Sequence, residues 1–271
     1  MSQLPKLNIW FEGSRPKTIP AAIVPVIVGT ASVETGLTLL RFVLALVVSI
    51  ALQVGVNYAN DYSDGIRGTD QDRIGPRRLV GSGLINANQV KLAAGISFLI
   101  AAIAGLVLAI MTSLWLILIG CVAILAAWFY TGGSRPYGYS GYGEVSVFVF
   151  FGLVATVGSS YVQSQTIESI SILSSVPVGL LASALLVVNN FRDIETDAET
   201  GKQTFAVRLG KAKTKMFFAL LLLASLGMYV LIAVFYTYLV LTTLVVIPLI
   251  CLLYTSPSPR DRSVSRMPSS A

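Results

Sequence analysis

Asn57-Tyr-Ala-Asn-Asp-Tyr-Ser-Asp-Gly-Ile-Arg-Gly-Thr-Asp70 is the stretch that decides the fold, because it follows directly on a long apolar run at residues 37–56. A run of that length predicts a membrane helix. If the helix continues into the stretch, polar side chains spaced i, i+3, i+4 and i+7 share one of its faces. These side chains are Asn57, Asn60, Asp61 and Asp64.

Carboxylates at the mouth of a membrane helix are costly unless a charged partner satisfies them. A hard divalent cation is the natural candidate, since Mg²⁺ takes oxygen ligands and uses one or two carboxylates together with substrate phosphates. The alternative is a helix end in polar solvent, with aspartates acting as cap and turn residues. The stretch alone leaves both interpretations open.

A second copy of the pattern favours the metal site. Asn189-Asn-Phe-Arg-Asp-Ile-Glu-Thr-Asp197 also follows an apolar run, at residues 172–188, and its Asn-x-x-x-Asp element repeats that of Asn57 and Asp61. Asn189, Asp193 and Asp197 are spaced i, i+4 and i+8, which again predicts one helical face. Two acidic helix ends suggest a binuclear or shared metal site at a repeat interface.

Composition sets the class of protein. Of the 271 residues, 55% are hydrophobic and only 12% are charged, whereas a soluble domain is about a quarter charged. We therefore predict an all-α polytopic membrane protein. The sequence has no histidine, which excludes His-ligated zinc, bis-His haem and Ser-His-Asp catalysis.

The membrane domain is predicted as a single domain at residues 1–253, built from two four-helix halves at about 18–130 and 143–253. Cytoplasmic loops at about 62–89 and 192–213 are expected to cap a cavity. The tail at 254–271 is rich in serine, proline and arginine, and is predicted to be non-native or disordered. Eight apolar segments are predicted near 18–33, 38–60, 90–111, 113–130, 143–163, 171–190, 214–234 and 237–253.

The distribution of cations predicts the topology. With the N-terminus inside, Arg41 is the one residue of the 19 Lys and Arg that falls in an outer loop. The positive-inside rule then places the N-terminus and both acidic motifs on the cytoplasmic face of the membrane. The net charge of +6 follows from this topology, and it does not indicate a nucleic-acid partner.

Cations and tyrosines lie beside the acidic motifs in the sequence. Arginine and lysine there fit a phosphate that is bridged by metal to carboxylates, although orientation and anionic lipid would explain them too. The tyrosines are equally compatible with an aromatic or polyisoprenoid group and with an interfacial belt. The candidates are Arg15, Arg67, Arg78, Arg192, Lys202, Tyr130 and Tyr137.

These motifs resemble the UbiA superfamily of intramembrane prenyltransferases. Asn60-Asp-x-x-Asp64 and Asp193-x-x-x-Asp197 carry the resemblance, and Gly75-Pro-x-Arg-Leu-Val-x-Ser-Gly83 and Gly201-Lys-x-Thr204 point to the branch that prenylates 1,4-dihydroxy-2-naphthoate in menaquinone synthesis. The superfamily often has a further aspartate four residues after Asp64; here Gly68 stands there, with Asp70 nearby. Its members usually have a ninth helix, which this sequence is predicted to lack or to have replaced.

The resemblance implies transfer of a polyprenyl group from its diphosphate to the naphthoate ring, with loss of the carboxylate, in a bacterial plasma membrane. It implies two Mg²⁺ held by Asp61, Asp64, Asp193 and Asp197. Asn57, Asn60, Asn189 and Asn190 would complete the metal or phosphate contacts. Arg67, Arg192 and Lys202 would neutralise the leaving charge, and Arg15, Arg78, Tyr130 and Tyr137 would bind substrate.

Two alternatives stay open at the level of sequence. The same fold could use another acceptor, such as 4-hydroxybenzoate, homogentisate, a chlorophyll precursor or a glycerol phosphate. A secondary transporter with a cation site at a repeat interface would also duplicate its motif. Acidic residues near mid-membrane would favour the transporter, whereas the motifs here lie at helix ends. Prenyl chain length and oligomeric state are not predicted.

Overall fold

The computed structural model describes residues 6–34, 36–68 and 78–236, and all regular structure in these ranges is helical. In chain order the helices are α1 (Lys6–Gly13), α2 (Ile19–Ala31), α3 (Leu39–Arg67), α4 (Ala87–Met111), α5 (Trp115–Phe129), α6 (Gly143–Ser164), α7 (Ser169–Arg192), α8 (Ile194–Glu199) and α9 (Phe205–Phe235). Short 3-10 turns at Pro16–Thr18 and Tyr137–Ser140 precede α2 and α6. Seven of the predicted apolar segments are therefore helices, and the eighth, at 237–253, lies outside the described residues, as does the tail.

Within the described ranges, five helices are long and apolar enough to cross a membrane, namely α3, α4, α6, α7 and α9. The shorter α5 is also apolar, and α2 contains Pro25 within its length. Residues up to Met228 form one compact unit, and the end of α9 from Tyr229 belongs to a second unit. These spans confirm the prediction of an all-α polytopic membrane protein.

Small residues allow the helices to approach closely. A Cβ on Gly29 of α2 would lie 2.0 Å from the backbone oxygen of Thr156 in α6, and a Cβ on Gly152 would lie 2.6 Å from the Cα of Gly179 in α7. Larger side chains at these glycines would push the helices apart. Close packing of this kind holds membrane helices together where lipid provides no hydrophobic driving force.

One end of the bundle is tied by Arg41, near the start of α3. Its guanidinium donates to the backbone oxygens of Val162 at 3.1 Å and Gln163 at 3.2 Å in α6, and to Met111 at the end of α4 at 3.4 Å. Helix α3 therefore runs antiparallel to α4, and its acidic motif lies at the opposite end of the bundle.

The widened π-helical turn Phe148–Val154 lies within α6, and such turns are frequent at functional sites.

Candidate active site

Helix α3 continues without a break through the first acidic motif. It ends at Gly68, whose φ of 71° is the left-handed conformation that commonly stops a helix. Its four polar side chains, Asn57, Asn60, Asp61 and Asp64, are all buried. The predicted continuation of the helix into the motif is therefore confirmed.

The second motif departs from the predicted continuous helix. Helix α7 ends at Arg192, and Asp193 adopts a non-helical conformation (φ −96°, ψ 8°) before α8 begins. The Asp193 carboxylate accepts hydrogen bonds from the Arg192 guanidinium, at 2.8 Å from Nε and 3.0 Å from Nη2. The i, i+4 backbone hydrogen bonds nevertheless continue across Asp193, from its N–H to the Asn189 carbonyl at 3.3 Å and from the Asp197 N–H to the Asp193 carbonyl at 2.8 Å, so a shared face for the three residues stays a prediction.

The two motifs nevertheless converge, and Lys202 joins them. Its ammonium nitrogen lies 3.1 Å from an Asp64 carboxylate oxygen and 3.7 Å from an Asp197 carboxylate oxygen. The turn after α8 brings Lys202 there, since its backbone N–H donates to the Asp197 carbonyl at 2.8 Å. Arg78 approaches the other oxygen of Asp64 at 3.6 Å. Carboxylates from distant parts of the chain thus share one buried cation.

Tyr139 completes this group, although nothing in the sequence distinguishes it from the other tyrosines of its loop. Its hydroxyl donates to the Asp64 carboxylate, and its ring centre lies 4.8 Å from the Lys202 ammonium. Burial, followed by the charge of Asp64, raises the pKa of Tyr139 above its ordinary value. The phenol therefore stays protonated and acts as a hydrogen-bond donor to Asp64.

Asp61 has a different environment from Asp64. Its two oxygens accept the backbone N–H groups of Leu79, at 2.8 Å, and Val80, at 3.0 Å. The carboxylate is 1% exposed. Asp61 therefore anchors the segment that carries Arg78 over the site, and this role was not visible from the spacing of the motif.

We expect Asp61→Asn to destabilise the protein. The carboxamide nitrogen would face one of the two backbone N–H groups, which leaves a buried donor unsatisfied at a cost of about 1–3 kcal/mol. Thermal unfolding in detergent with EDTA measures this loss without any contribution from metal. The exposed Glu199→Gln variant is the control, and an unchanged unfolding midpoint for Asp61→Asn would contradict the anchoring role.

The other predicted polar residues have several different environments. Asn57 donates to the Ser14 carbonyl at 2.8 Å, and Asn60 accepts from the Thr131 hydroxyl at 2.7 Å, so both join α3 to neighbouring segments. Arg67 donates to the Thr131 and Gly133 carbonyls, which places its guanidinium on that loop. Arg192 pairs with Asp193, and Asn190 donates to Glu144. The candidates that line the cavity are Arg15, Tyr130, Tyr137 and Asn189.

A cavity of about 320 Å³ opens beside these residues. Its polar lining includes six of the residues predicted from the sequence and Thr18. The six are Arg15, Asn57, Asn60, Tyr130, Tyr137 and Asn189. Its apolar lining comes from α2 to α7 and includes Val26, Ala45, Leu108, Leu116, Phe150 and Val162. The chamber is thus polar towards the acidic motifs and apolar towards the end tied by Arg41.

The donor set suits a hard cation. Within residues 6–34, 36–68 and 78–236, no group of three or more Asp, Glu, Cys or His is arranged to hold an ion by itself. Mg²⁺, however, needs only one or two carboxylates when substrate phosphates supply further oxygens. Asp64 and Asp197 both contact the Lys202 ammonium, so oxygens from the two motifs lie close to one position.

A membrane bundle with buried carboxylates and cations near the polar end of an apolar chamber has the features of an intramembrane enzyme site. The UbiA prenyltransferase family model matches residues 22–267, and this chain belongs to that family. The chain is 51% identical over 211 residues to the 1,4-dihydroxy-2-naphthoate octaprenyltransferase of Mycobacterium tuberculosis, covering 77% of this chain and 72% of that protein.

Other relatives agree. The Escherichia coli protein of the same name is 41% identical over 233 residues, covering 83% of this chain and 76% of that protein. The structure of a UbiA homologue from Archaeoglobus fulgidus bound to GPP and Mg²⁺ superimposes with a TM-score of 0.69 at 13% identity, covering 89% of this chain and 86% of that one. The resemblance inferred from the motifs is therefore confirmed.

Proposed function

We propose that this chain transfers a polyprenyl group from polyprenyl diphosphate to 1,4-dihydroxy-2-naphthoate, with loss of the carboxylate, giving demethylmenaquinol. The observation that carries the proposal is the convergence of Asp64 and Asp197 on Lys202, about one turn of α3 beyond Asn60, which lines the polar part of the chamber. Relatives named for this reaction, at 41–51% identity, support the choice of substrates.

The mouth of the chamber would hold the diphosphate. Asp64 and Asp197 would bind Mg²⁺, with Asp61, Asp193, Asn57 and Asn189 as further candidates from the motifs. When bound, Mg²⁺ supplies charge stabilisation for the leaving diphosphate. Lys202 and Arg78 lie against the same carboxylates and would neutralise the remaining phosphate charge. Arg15 lines the chamber nearby and adds a third cation.

The chamber would shield the prenyl group from water. Its lining would keep bulk water away from an allylic cation, because most of the side chains that α2 to α7 contribute are aliphatic or aromatic. Tyr130 and Tyr137 pack edge to face, with ring centres 5.5 Å apart. Their rings would stabilise the cation by cation–π contact.

The aromatic acceptor then attacks. The bond between the prenyl carbon and the diphosphate oxygen breaks, a bond forms between that carbon and the naphthoate ring, and the ring loses its carboxylate as CO₂. The electron-rich hydroxylated ring is the nucleophile, so the protein has to orient the two substrates and exclude water. A long prenyl tail fits a site within the bilayer.

We also propose that the mouth and the N-terminus face the cytoplasm. The distribution of Lys and Arg supports this orientation, and Arg41 is placed at the opposite end of the bundle from the acidic motifs. A cytoplasmic mouth would admit the soluble, anionic naphthoate. The membrane domain at 1–253 remains a proposal from the sequence.

A single assay tests the proposed function. Purified protein is given 1,4-dihydroxy-2-naphthoate and prenyl diphosphates of several lengths, under anaerobic conditions, with Mg²⁺ or with EDTA. We expect prenylated product and diphosphate release with Mg²⁺, neither with EDTA, and recovery when Mg²⁺ is restored. Product that is unaffected by chelation would contradict the metal role.

An acceptor panel distinguishes the alternatives. 4-Hydroxybenzoate, homogentisate, a chlorophyll precursor and a glycerol phosphate replace the naphthoate in the same assay. Turnover with one of these, and none with the naphthoate, would overturn the proposed acceptor while leaving the family intact. Ion flux in liposomes without any prenyl donor would instead indicate a transporter.

A further inference from the structure

Gln53 is a buried polar residue of α3 that the proposed mechanism does not use. It is 7% exposed and lines the chamber. In the sequence it stands in an apolar stretch of the helix, between Leu52 and Val54. A polar side chain within a membrane helix is costly, and it generally serves a function or bonds to a neighbouring helix. The hydrogen bonds of Gln53 bear on both roles.

The hydrogen bonds around Thr18 fix the orientation of the Gln53 carboxamide. The Thr18 hydroxyl donates its proton to the Arg15 carbonyl oxygen at 2.9 Å. Towards other groups this hydroxyl can therefore only accept. It accepts from Gln53 Nε2 at 2.9 Å and from Asn57 Nδ2 at 3.0 Å. Gln53 thus turns its amide nitrogen towards Thr18, and its carbonyl oxygen, Oε1, is not used in this contact.

The carbonyl oxygen of Gln53 has no hydrogen-bond donor among the described residues, in which the side chain bonds to Thr18 alone. Ser49, one turn deeper on α3, differs, since its hydroxyl is satisfied by the Ala22 carbonyl at 2.7 Å. A carbonyl oxygen taken out of water costs free energy unless a donor satisfies it. Because Gln53 lines the chamber, a ligand there can supply that donor.

The two substrates differ in what they can donate. A prenyl chain has no N–H or O–H group, and a diphosphate at the mouth is an acceptor. The dihydroxynaphthoate ring has two hydroxyl groups, and each can donate. Gln53 lies four residues before Asn57, about 6 Å along the helix axis, so it stands deeper in the chamber than the motif proposed for the diphosphate. The ring would meet the prenyl carbon at this depth.

Resting on the proposed function, we propose that Gln53 binds the aromatic acceptor, with Oε1 accepting a hydrogen bond from one ring hydroxyl group. Thr18 holds the carboxamide in the orientation that this bond requires. The bond selects hydroxylated rings over rings that offer no donor. It also leaves more electron density on the hydroxyl oxygen, and hence on the ring carbon that attacks the prenyl group.

The test compares wild type with Gln53→Met in displacement calorimetry, without prenyl donor and under anaerobic conditions. 1,4-Dihydroxy-2-naphthoate offers the hydroxyl groups, and 2-naphthoate has the same ring and carboxylate without them. We expect the variant to bind the dihydroxy compound about tenfold more weakly, as the loss of one hydrogen bond would. Its affinity for 2-naphthoate should equal that of wild type, so the ratio of the two affinities should fall about tenfold.

An unchanged ratio would overturn the proposal, because a glutamine that only joins α3 to α2 would affect both ligands alike. Kinetics separates a contact with metal or diphosphate. In Gln53→Met, neither the KM for prenyl diphosphate nor the Mg²⁺ concentration for half-maximal activity should rise. A rise in either would place Gln53 at the diphosphate and would overturn its assignment to the ring.

Gln163→Met is the matched control. Gln163 is also a buried glutamine of a membrane helix, and it accepts from the Thr38 backbone N–H at 2.9 Å at the end of the bundle tied by Arg41. Whatever its stability, its affinity ratio should equal that of wild type, and an equal fall in this control would also overturn the assignment. If Gln53→Met does not fold, Gln53→Asn decides by the same ratio, because asparagine keeps the carboxamide but withdraws its oxygen by one methylene.

The two proposals fail differently. A wild-type protein that makes no product from the naphthoate contradicts the proposed function, whatever the variants do. A wild type that turns over normally, with an unchanged affinity ratio in the Gln53 variant, contradicts only the role of Gln53.

Discussion

Asp64→Asn is expected to lower kcat/KM at least about a hundredfold, equivalent to about 3 kcal/mol of transition-state stabilisation. Asp64 is the carboxylate on which the site converges, with Lys202 at 3.1 Å, Arg78 at 3.6 Å and the Tyr139 hydroxyl as partners. An amide of the same shape would bind a cation weakly and would lose its attraction for both basic residues. Steady-state kinetics over a range of Mg²⁺ concentrations measures the effect.

The Asp64→Asn variant should also need more Mg²⁺ for half-maximal activity. Its control is Glu195→Gln on α8, since Glu195 is an exposed acid that pairs with Lys211 at 2.6 Å outside the chamber. The control should keep wild-type kinetics. Wild-type kcat/KM in Asp64→Asn, with an unchanged Mg²⁺ requirement, would remove Asp64 from the metal and diphosphate site.

Lys202→Met should be comparably severe, with about a hundredfold loss of kcat. The ammonium is buried between Asp64 and Asp197, and methionine keeps much of the side-chain volume without the charge. In the variant the two carboxylates lose the ammonium that they share. Without metal to replace it, Lys202→Met should be less stable than wild type in EDTA. Thermal unfolding with and without Mg²⁺ should show a larger stabilisation by Mg²⁺ than in wild type.

Lys211→Met is the matched control for this variant, because its ammonium is exposed and contacts Glu195. It should leave both turnover and the Mg²⁺ response unchanged. If Lys202→Met turned over normally, the lysine would serve only to balance charge in the folded protein. If Mg²⁺ also stabilised Lys202→Met no more than it stabilises wild type, the contact of Lys202 with the two carboxylates would contribute neither to turnover nor to stability.

Local periodicity was sufficient to predict much of the fold. Long apolar runs predicted the helices, and the spacing of Asn57 and Asp64 correctly placed them on one face of α3. The presence of a second acidic motif predicted that the two motifs meet, and Asp64 and Asp197 both contact Lys202. These features are encoded within single helices or in their repetition, so a sequence can reveal them.

Contacts between distant segments could not be predicted in this way. Asp61 bonds the backbone of Leu79 and Val80, and Tyr139 reaches Asp64 from the loop before α6. Neither contact leaves a periodic signal. The turn at Asp193 was missed because the spacing of the motif fits a continuous helix equally well.

The most direct measurement asks whether residues 64 and 197 are neighbours in the membrane-embedded protein. Cys121 and Cys251 are replaced by serine, cysteines are introduced as Asp64→Cys and Asp197→Cys, and a short thiol cross-linker is applied before protease cleavage between the positions. We expect efficient cross-linking of this pair and little for the control pair Asp64→Cys with Glu195→Cys. Cross-linking of the first pair no greater than that of the control would contradict the convergence of the two acidic motifs.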